Sequence, residues 1–363
     1  MGRARVGAAA LALLLFFFLA VPIGLACGGG DVPATPTQTP VSRSPTLTPA
    51  PPGQSAPPER DFLDLARRFR GLPADASPLA RLTPHDHRLG DTHEFTLLDL
   101  DVPRTIVIQA TLALITEHAY FFVEEGIPLQ ALDLDMIGAD FEARVYPRVT
   151  AAFGSESSPG VDSDPRITIL HAALSGAGGY VTSSDGFPRA ASPSSNEREM
   201  LYLDSSLLFI DALVGSSQQS LYSTIVAHEL QHLVHVAADP GEEAWVNEGL
   251  SQVASELVAI APGANTSGLQ SFLVAPDTQL NNWPAAGHTG VHYAASQLFF
   301  RYLLDHFGGR ENAFQLLSIQ EDGIAGLEAY LAPFDATFLD VFANWLIANY
   351  LDEEDGPYSH ADA

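Results

Sequence analysis

Two histidines four residues apart on a long apolar helix constrain this chain more than any other feature. Apolar residues recur at helical spacing from Leu221 to Ala237, and Asp239-Pro240-Gly241 ends the helix. Within it, the HELQH motif places His228 and His232 on one face. At that spacing both imidazoles can bind one Zn²⁺ at about 2.0–2.1 Å, while Glu229 can reach a metal-bound water. Without a metal or hydrogen-bond partners, these three side chains would be costly on an apolar helix.

A zinc site of this type needs a third protein ligand and leaves its fourth position open. The segment WVNEGL follows the Asp-Pro-Gly turn, and two antiparallel helices joined so tightly bring Glu248 back towards His232. Glu248 is therefore the predicted third ligand. Its competitors are three nearby acids, of which the last two suit the first turn of a helix: Glu256, Glu242 and Glu243.

The residues after the motif exclude a metzincin arrangement. That arrangement needs glycine at 235, histidine at 238 and a methionine turn downstream. The chain has His235 and Ala238, and its last methionine is Met200.

HELQHLVH followed by WVNEGLSQVASE resembles the hyicolysin-like neutral metallopeptidases, within the thermolysin-related gluzincins. The resemblance spans about Leu97 to Leu351 and includes HYAASQLFFRYLLDHFG. It implies a zinc endopeptidase with metal ligands matching His228, His232 and Glu248 and a general base matching Glu229. We expect an α+β, gluzincin-like fold, β-rich in its N-terminal part before Asp204 and mainly helical after it.

Local patterns predict several elements of this fold. Helices are expected from Arg60 to Arg70 and from Met136 to Phe153, the second with a buried stripe and a kink or break at Pro147: Ile137, Phe141, Val145 and Val149. Four runs are predicted strands: Glu94 to Leu100, Thr105 to Ile115, Ile167 to Leu170 and Met200 to Asp204. The last of these is a candidate for binding an extended peptide by edge pairing.

Peptide hydrolysis also needs a donor for the tetrahedral oxyanion. Tyr293 is the favoured candidate and His292 the second, since both lie at the start of a predicted helix that ends at Gly308-Gly309. A packing role for Tyr293 is the alternative.

Two further polar groups could bind metal, but turns explain them better. One is a histidine-rich group around Pro84 and Gly90, interpreted as a solvated loop: His85, Asp86, His87, Asp91 and His93. The other is Asp162 with Asp164, which could supply oxygens to Ca²⁺ but are more typical of turn formers.

The N-terminus indicates export. Arg3 and Arg5 precede an apolar run, and Gly24-Leu25-Ala26-Cys27 resembles the bacterial lipobox, in which the cysteine is lipidated. The predicted organisation is a lipoprotein-type signal peptide at 1–26, a Pro/Thr/Ser-rich stalk at 27–58, a small β-rich region at 59–126 and a zinc metallopeptidase domain at 127–363. This places the protein at a bacterial cell surface or facing the periplasm, anchored to a membrane by lipid.

The net charge of the chain and the HELQH motif together limit the range of possible functions. The chain has 44 acids against 17 bases, none of them lysine, so no patch is available to neutralise phosphates and a nucleic-acid partner is excluded. We predict a surface-anchored, zinc-dependent endopeptidase that acts on peptides or proteins. The alternatives are a zinc aminopeptidase and a non-catalytic surface-binding lipoprotein that retains a structural zinc.

Overall fold

A computed structural model describes residues 61–100, 102, 104–128, 134–208, 216–259, 266–284 and 289–360, with the backbone alone at 216–220 and 266–268. The predicted signal peptide, the stalk and Cys27 lie outside the described residues. The described part is α+β, as expected, with its strands before residue 205 and mainly helices after it.

One mixed sheet contains the described strands: β1 (Thr92–Asp99), β2 (Arg104–Ile115), β3 (Ala119–Glu124), β4 (Ile167–Ala172), β5 (Gly179–Tyr180) and β6 (Met200–Asp204). Their order is β1-β2-β3-β4-β6-β5, with β3, β4 and β6 parallel and the remaining pairs antiparallel. The four predicted strands are confirmed; β3 and the two-residue β5 were not predicted. The predicted boundary after residue 126 follows β3, which pairs with β4, so strands on both sides share the sheet.

Alternation along the central strands divides the core between the two faces of the sheet. Phe121, Ile169 and Leu201 point to the face that the helices cover. Phe122, Leu170 and Tyr202 point to the opposite face, where they pack with Phe95 and other residues of β1 and β2. The central strands are therefore buried on both sides, which explains the continuous apolar run of β3.

The sheet is curled, so that β1 at one end of the strand order lies close to β5 at the other end. The Asn196 side chain bonds the outer edge of β1 twice, accepting from Thr96 N–H at 2.9 Å and donating to the Thr96 carbonyl at 2.8 Å. The Tyr180 hydroxyl of β5 accepts from Leu98 N–H at 2.9 Å. These side chains satisfy backbone groups that an edge strand would otherwise leave unpaired.

The helices are α1 (Phe62–Arg70), α2 (Leu134–Asp140), α3 (Tyr146–Phe153), α4 (Ser216–Ala238), α5 (Ala244–Val258), α6 (Thr266–Leu273), α7 (Gly290–His306), α8 (Phe314–Leu317), α9 (Gly323–Leu331) and α10 (Phe338–Leu351). A π-helical turn, Phe141–Val145, joins α2 to α3 just before Pro147, which has no N–H to continue the regular ladder. The predicted break is therefore confirmed, as is the buried stripe from Ile137 to Val149.

Helix α5 packs against both α4 and α7. Gly249 lies where α5 meets α7, and a Cβ added there would stand 2.4 Å from the Phe300 ring and 3.0 Å from Ser296 Cβ. Glycine at this position thus permits the close approach of the two helices. Because Glu248 directly precedes Gly249, this helix contact also affects the position of Glu248.

Within the described residues, no single helix is both long and apolar enough to cross a membrane. One pair of consecutive helical segments, Gly323–Phe334 and Phe338–Leu351, has the length and composition only when taken together, and it is bent by 91°.

Replacing Asn196 by alanine should destabilise the fold, since Thr96 N–H would lose its acceptor at the β1 edge and the Thr96 carbonyl would keep only the longer bond from the Tyr202 hydroxyl. We expect a loss of about 1–3 kcal/mol in the free energy of unfolding, measured by urea denaturation. Asn282→Ala, at an exposed asparagine, is the control. Equal stability of the two variants would contradict the bridging role of Asn196.

Candidate metal centre

Helices α4 and α5 bring the three predicted metal ligands together. His228 Nε2 lies 3.0 Å from His232 Nε2. Glu248 Oε2 lies 3.2 Å from His228 Nε2 and 3.4 Å from His232 Nε2. Three potential ligand atoms, two nitrogens and one oxygen, therefore form a small triangle.

The triangle fits a tetrahedral zinc ion. Ligand atoms bound at about 2.0–2.2 Å in tetrahedral geometry stand about 3.3–3.6 Å apart, close to the three separations found here. Glu248 Oε2 is buried and makes no well-directed hydrogen bond, although it faces both imidazoles. Two imidazoles and one carboxylate are also the donor set of many catalytic zinc sites, which keep a fourth position for water.

The outer nitrogen of His232 is oriented by two residues of α5. His232 Nδ1 contacts the Asn247 side-chain oxygen and lies 3.0 Å from Ser251 Oγ. If Nδ1–H donates to these oxygens, Nε2 carries the lone pair that a metal requires. Sequence reasoning missed both residues; the signal was available, because Asn247 and Ser251 are one turn apart on the predicted ligand helix.

A buried hydrogen-bond network continues behind this contact. Ser251 Oγ donates to the side-chain oxygen of Gln231, and Gln231 Nε2 lies 3.2 Å from His235 Nδ1. All three side chains are nearly inaccessible to water. Burial lowers the pKa of His235 to about 3, so this imidazole is neutral and can accept from the Gln231 amide. His235 thus supports the helix pair through the contact of its side chain with Gln231.

Glu229 lies beside the ligands with one oxygen, Oε2, buried and without a hydrogen-bond partner. Burial raises the pKa of this carboxyl group, although the two nearby imidazoles oppose that shift. Gly179 of β5 packs directly against it, since an added Cβ would stand 2.8 Å from Glu229 Oε1. A side chain at Gly179 would therefore displace the carboxylate.

The same glycine identifies the outer strand near the site. Met200–Asp204 was predicted to offer a free edge to a peptide, and this is wrong, because β6 lies between β4 and β5 in the strand order. The outer strand on this side is β5, Gly179–Tyr180. Strand order depends on pairing between distant segments, which local alternation does not reveal.

His232 and Glu248 interact as an ion pair within the triangle. Burial disfavours the protonated form of His232, but the Glu248 carboxylate outweighs burial and raises the pKa of His232 to about 9. Burial likewise opposes the charge of Glu248, yet the imidazoles hold its pKa well below the usual range. Protons and a metal ion therefore compete for these atoms.

Tyr293 faces the ligand set from α7. Burial raises the pKa of its phenol, and the charges of Glu248 and Glu229 raise it further. The ring centroid lies 6.1 Å from that of His228. His292 instead packs its ring against Trp283, and its Nδ1 is buried without a hydrogen-bond partner.

The rival acids have other partners. Glu256 binds Gln297 and lies 3.6 Å from the Arg310 guanidinium. Glu242 accepts from Gly323 N–H at 2.8 Å, and Glu243 accepts from the Trp245 indole at 2.6 Å. Among the four acids considered, the helix packing therefore brings Glu248 to the imidazoles.

Of the two other polar clusters, one matches its prediction and the other matches it only in part. Asp162 and Asp164 act as turn formers, since Asp162 accepts from Asp164 N–H at 3.0 Å and Asp164 from Arg166 N–H at 3.1 Å. The 82–91 segment is a loop, as expected, and Asp86 is exposed. However, His87 is partly buried, and desolvation and the charge of Arg198 lower its pKa to about 3. The interpretation as a wholly solvated loop is therefore wrong for this imidazole.

Comparison with protein-family models finds no match, and a search of curated proteins finds no similar sequence. The resemblance to the gluzincins therefore stays a prediction from the motifs. What can be argued about function rests on the geometry of the site.

Ser251→Ala should weaken zinc binding about 10–100-fold, because it removes one of the groups that orient His232. Zinc affinity can be measured by competition with a chromophoric chelator. Ser255→Ala is the matched control, since Ser255 lies one turn further along α5 and donates to the Thr224 carbonyl. If the two variants bind zinc equally well, Ser251 has no part in positioning the ligand.

Proposed function

We propose that this protein is a zinc-dependent endopeptidase with His228, His232 and Glu248 as metal ligands. One observation carries the proposal: the three ligand atoms converge within 3.4 Å of one another beside a buried carboxylate, Glu229, that is outside the triangle. A purely structural zinc site is usually closed by four protein ligands and has no use for an adjacent base.

The reaction class follows from the groups present. Zinc bound here would polarise the scissile carbonyl and lower the pKa of a bound water to about 7. Glu229 then accepts a proton from the attacking water at its unpaired Oε2 and delivers it to the leaving amine. Burial suits this role, because a raised pKa makes this carboxylate a stronger base than a solvated one.

Tyr293 is proposed to stabilise the oxyanion. Its ring lies 6.1 Å from that of His228, and its phenol is close enough to Glu248 and Glu229 for their charges to raise its pKa. Donation of its O–H to the substrate oxygen as negative charge develops would favour the transition state over the bound peptide. His292 is the weaker candidate, since the contacts with His228 and the charges of Glu248 and Glu229 are those of Tyr293.

Location is proposed from the sequence alone. Cys27 in a lipobox-like context and the Pro/Thr/Ser-rich stalk at 27–58 support export and attachment to a membrane through lipid. The substrate would then be a peptide or protein met outside the cytoplasm.

Glu229→Gln should retain zinc while losing peptide hydrolysis, because an amide cannot accept the proton of water. We expect a fall of about 10²–10⁴-fold in kcat/KM on quenched internal peptides at matched zinc content. Glu256→Gln, which changes a partly buried acid on the adjacent helix, should leave the rate unchanged.

Two outcomes would contradict the peptidase proposal. One is wild-type turnover by Glu229→Gln. The other is a fully zinc-loaded wild type that cleaves nothing across a broad library of internal and N-terminal peptides, which would favour a non-catalytic surface-binding protein. Cleavage confined to free N-termini would instead indicate an aminopeptidase.

Tyr293→Phe should lower kcat about 10–1000-fold with KM little changed, because it removes a donor that acts on the developing oxyanion. Steady-state kinetics on the same peptides separates the two parameters. Tyr302→Phe is the control on the same helix, since the Tyr302 hydroxyl donates to the Pro357 carbonyl. A rise in KM with kcat unchanged would assign Tyr293 to substrate binding instead.

A further inference from the structure

We propose that His87, Asp91 and His93 form a second site for a divalent transition metal ion, separate from the HELQH centre. One potential ligand atom from each of the three side chains lies within 4.8 Å of the other two. His87 lies in the loop before β1, Asp91 lies in the turn that leads into β1, and His93 is the second residue of β1. They belong to no part of the proposed peptidase machinery.

The backbone around the proposed site is well anchored. Asp91 closes a turn in which its carboxylate accepts from Arg88 N–H at 2.7 Å. Its carbonyl accepts from Leu112 N–H of β2 at 2.8 Å, and Gly90 N–H donates to the Leu112 carbonyl at 2.8 Å. Asp91 and the start of β1 are therefore held at defined positions before any ion arrives.

The imidazole of His87 is held by aromatic contacts instead of hydrogen bonds. It stacks on His85 with ring centroids 4.4 Å apart and meets His93 edge-on at 4.7 Å. It also packs edge-on against Tyr120 at 4.8 Å. Its Nε2 is buried and makes no hydrogen bond, which leaves a polar atom unsatisfied.

Charges of both signs surround the cluster, and Asp91 opposes the effect of Arg198 on the two imidazoles. Arg198 is the nearby positive group, with its guanidinium over the Phe95 and Phe122 rings. Three carboxylates, Asp162, Asp164 and Asp185, interact with that guanidinium and offset it. Asp91 adds a further negative charge at the site itself.

The donor set indicates the class of ion. Two imidazole nitrogens and one carboxylate oxygen suit Zn²⁺, Cu²⁺, Ni²⁺ or Co²⁺ better than Mg²⁺ or Ca²⁺, which prefer oxygen ligands. The third cluster of this kind among the described residues, Glu117, His118 and Glu142, carries no similar argument. There the Glu142 carboxylate already binds His118 Nδ1 at 2.6 Å and His118 N–H at 2.9 Å.

The test is zinc stoichiometry in four forms of the purified chain. We expect two zinc ions per wild-type chain, one in His93→Ala, one in Glu248→Ala and none in the double variant. Asp91→Asn keeps the shape of the turn, so it provides a second test of the site if His93→Ala fails to fold. We expect it to weaken zinc binding at the second site about tenfold or more. Asp86→Asn, at an exposed acid in the same loop, should still bind two.

A spectroscopic measurement identifies the ligands directly. Cu²⁺ added to the Glu248→Ala chain should give an electron paramagnetic resonance spectrum with coupling to imidazole nitrogen that His93→Ala reduces. A wild type with one zinc that His93→Ala leaves in place overturns the second site, as does a second zinc that survives both His93→Ala and Asp91→Asn. Loss of zinc in His93→Ala but not in Glu248→Ala would contradict the HELQH centre instead, so the two failures are distinguishable.

Discussion

The packing of helix α4 against α5 is the contact on which the site depends, because its ligand atoms are divided between the two helices. His228 and His232 share a face of α4 through the helical period alone. Only the depth and angle of α5 bring Glu248 Oε2 to 3.2 and 3.4 Å from their Nε2 atoms. Gly249 contributes by letting α5 approach α7 at a point where any side chain would overlap Phe300. A small shift at that contact would separate the carboxylate from the imidazoles.

The polar side chains buried between these helices would destabilise the fold if they formed no hydrogen bonds with one another. Gln231, His235 and Ser251 meet that requirement by bonding one another, and Ser251 extends the chain to the outer nitrogen of His232. The network therefore serves both the core and the site, since the groups that satisfy one another also orient a ligand. Glu248 Oε2 and Glu229 Oε2 are outside this network and have no hydrogen-bond partner. The first faces both imidazoles, and the second, beside the three candidate ligand atoms, suits the proposed role of general base.

The curl of the sheet has consequences at both of its ends. Near one end it places β5 against α4, where Gly179 allows the backbone to touch Glu229. At the other, Asn196 and Tyr180 cap the β1 edge with side chains. The loop that leads into β1 then packs His87 onto Tyr120 and Phe122, which turns a polar segment inward. The candidate HELQH centre and the proposed second metal site therefore both lie next to strands of the same sheet.

The sequence by itself determined the elements whose signal is local. Helical spacing paired His228 with His232 and predicted the stripe from Ile137 to Val149, and alternation or β-branched runs located four strands. Tertiary structure alone decided what depends on segments far apart in the chain. It placed β6 inside the sheet with β5 outermost, and it brought Asn247 and Ser251 to His232. It also set the distances from Glu248, which the sequence already favoured over three other acids, to the two imidazoles. The physical reason is that periodicity specifies which face a side chain occupies, whereas the partner on that face is set by how the helices and strands pack.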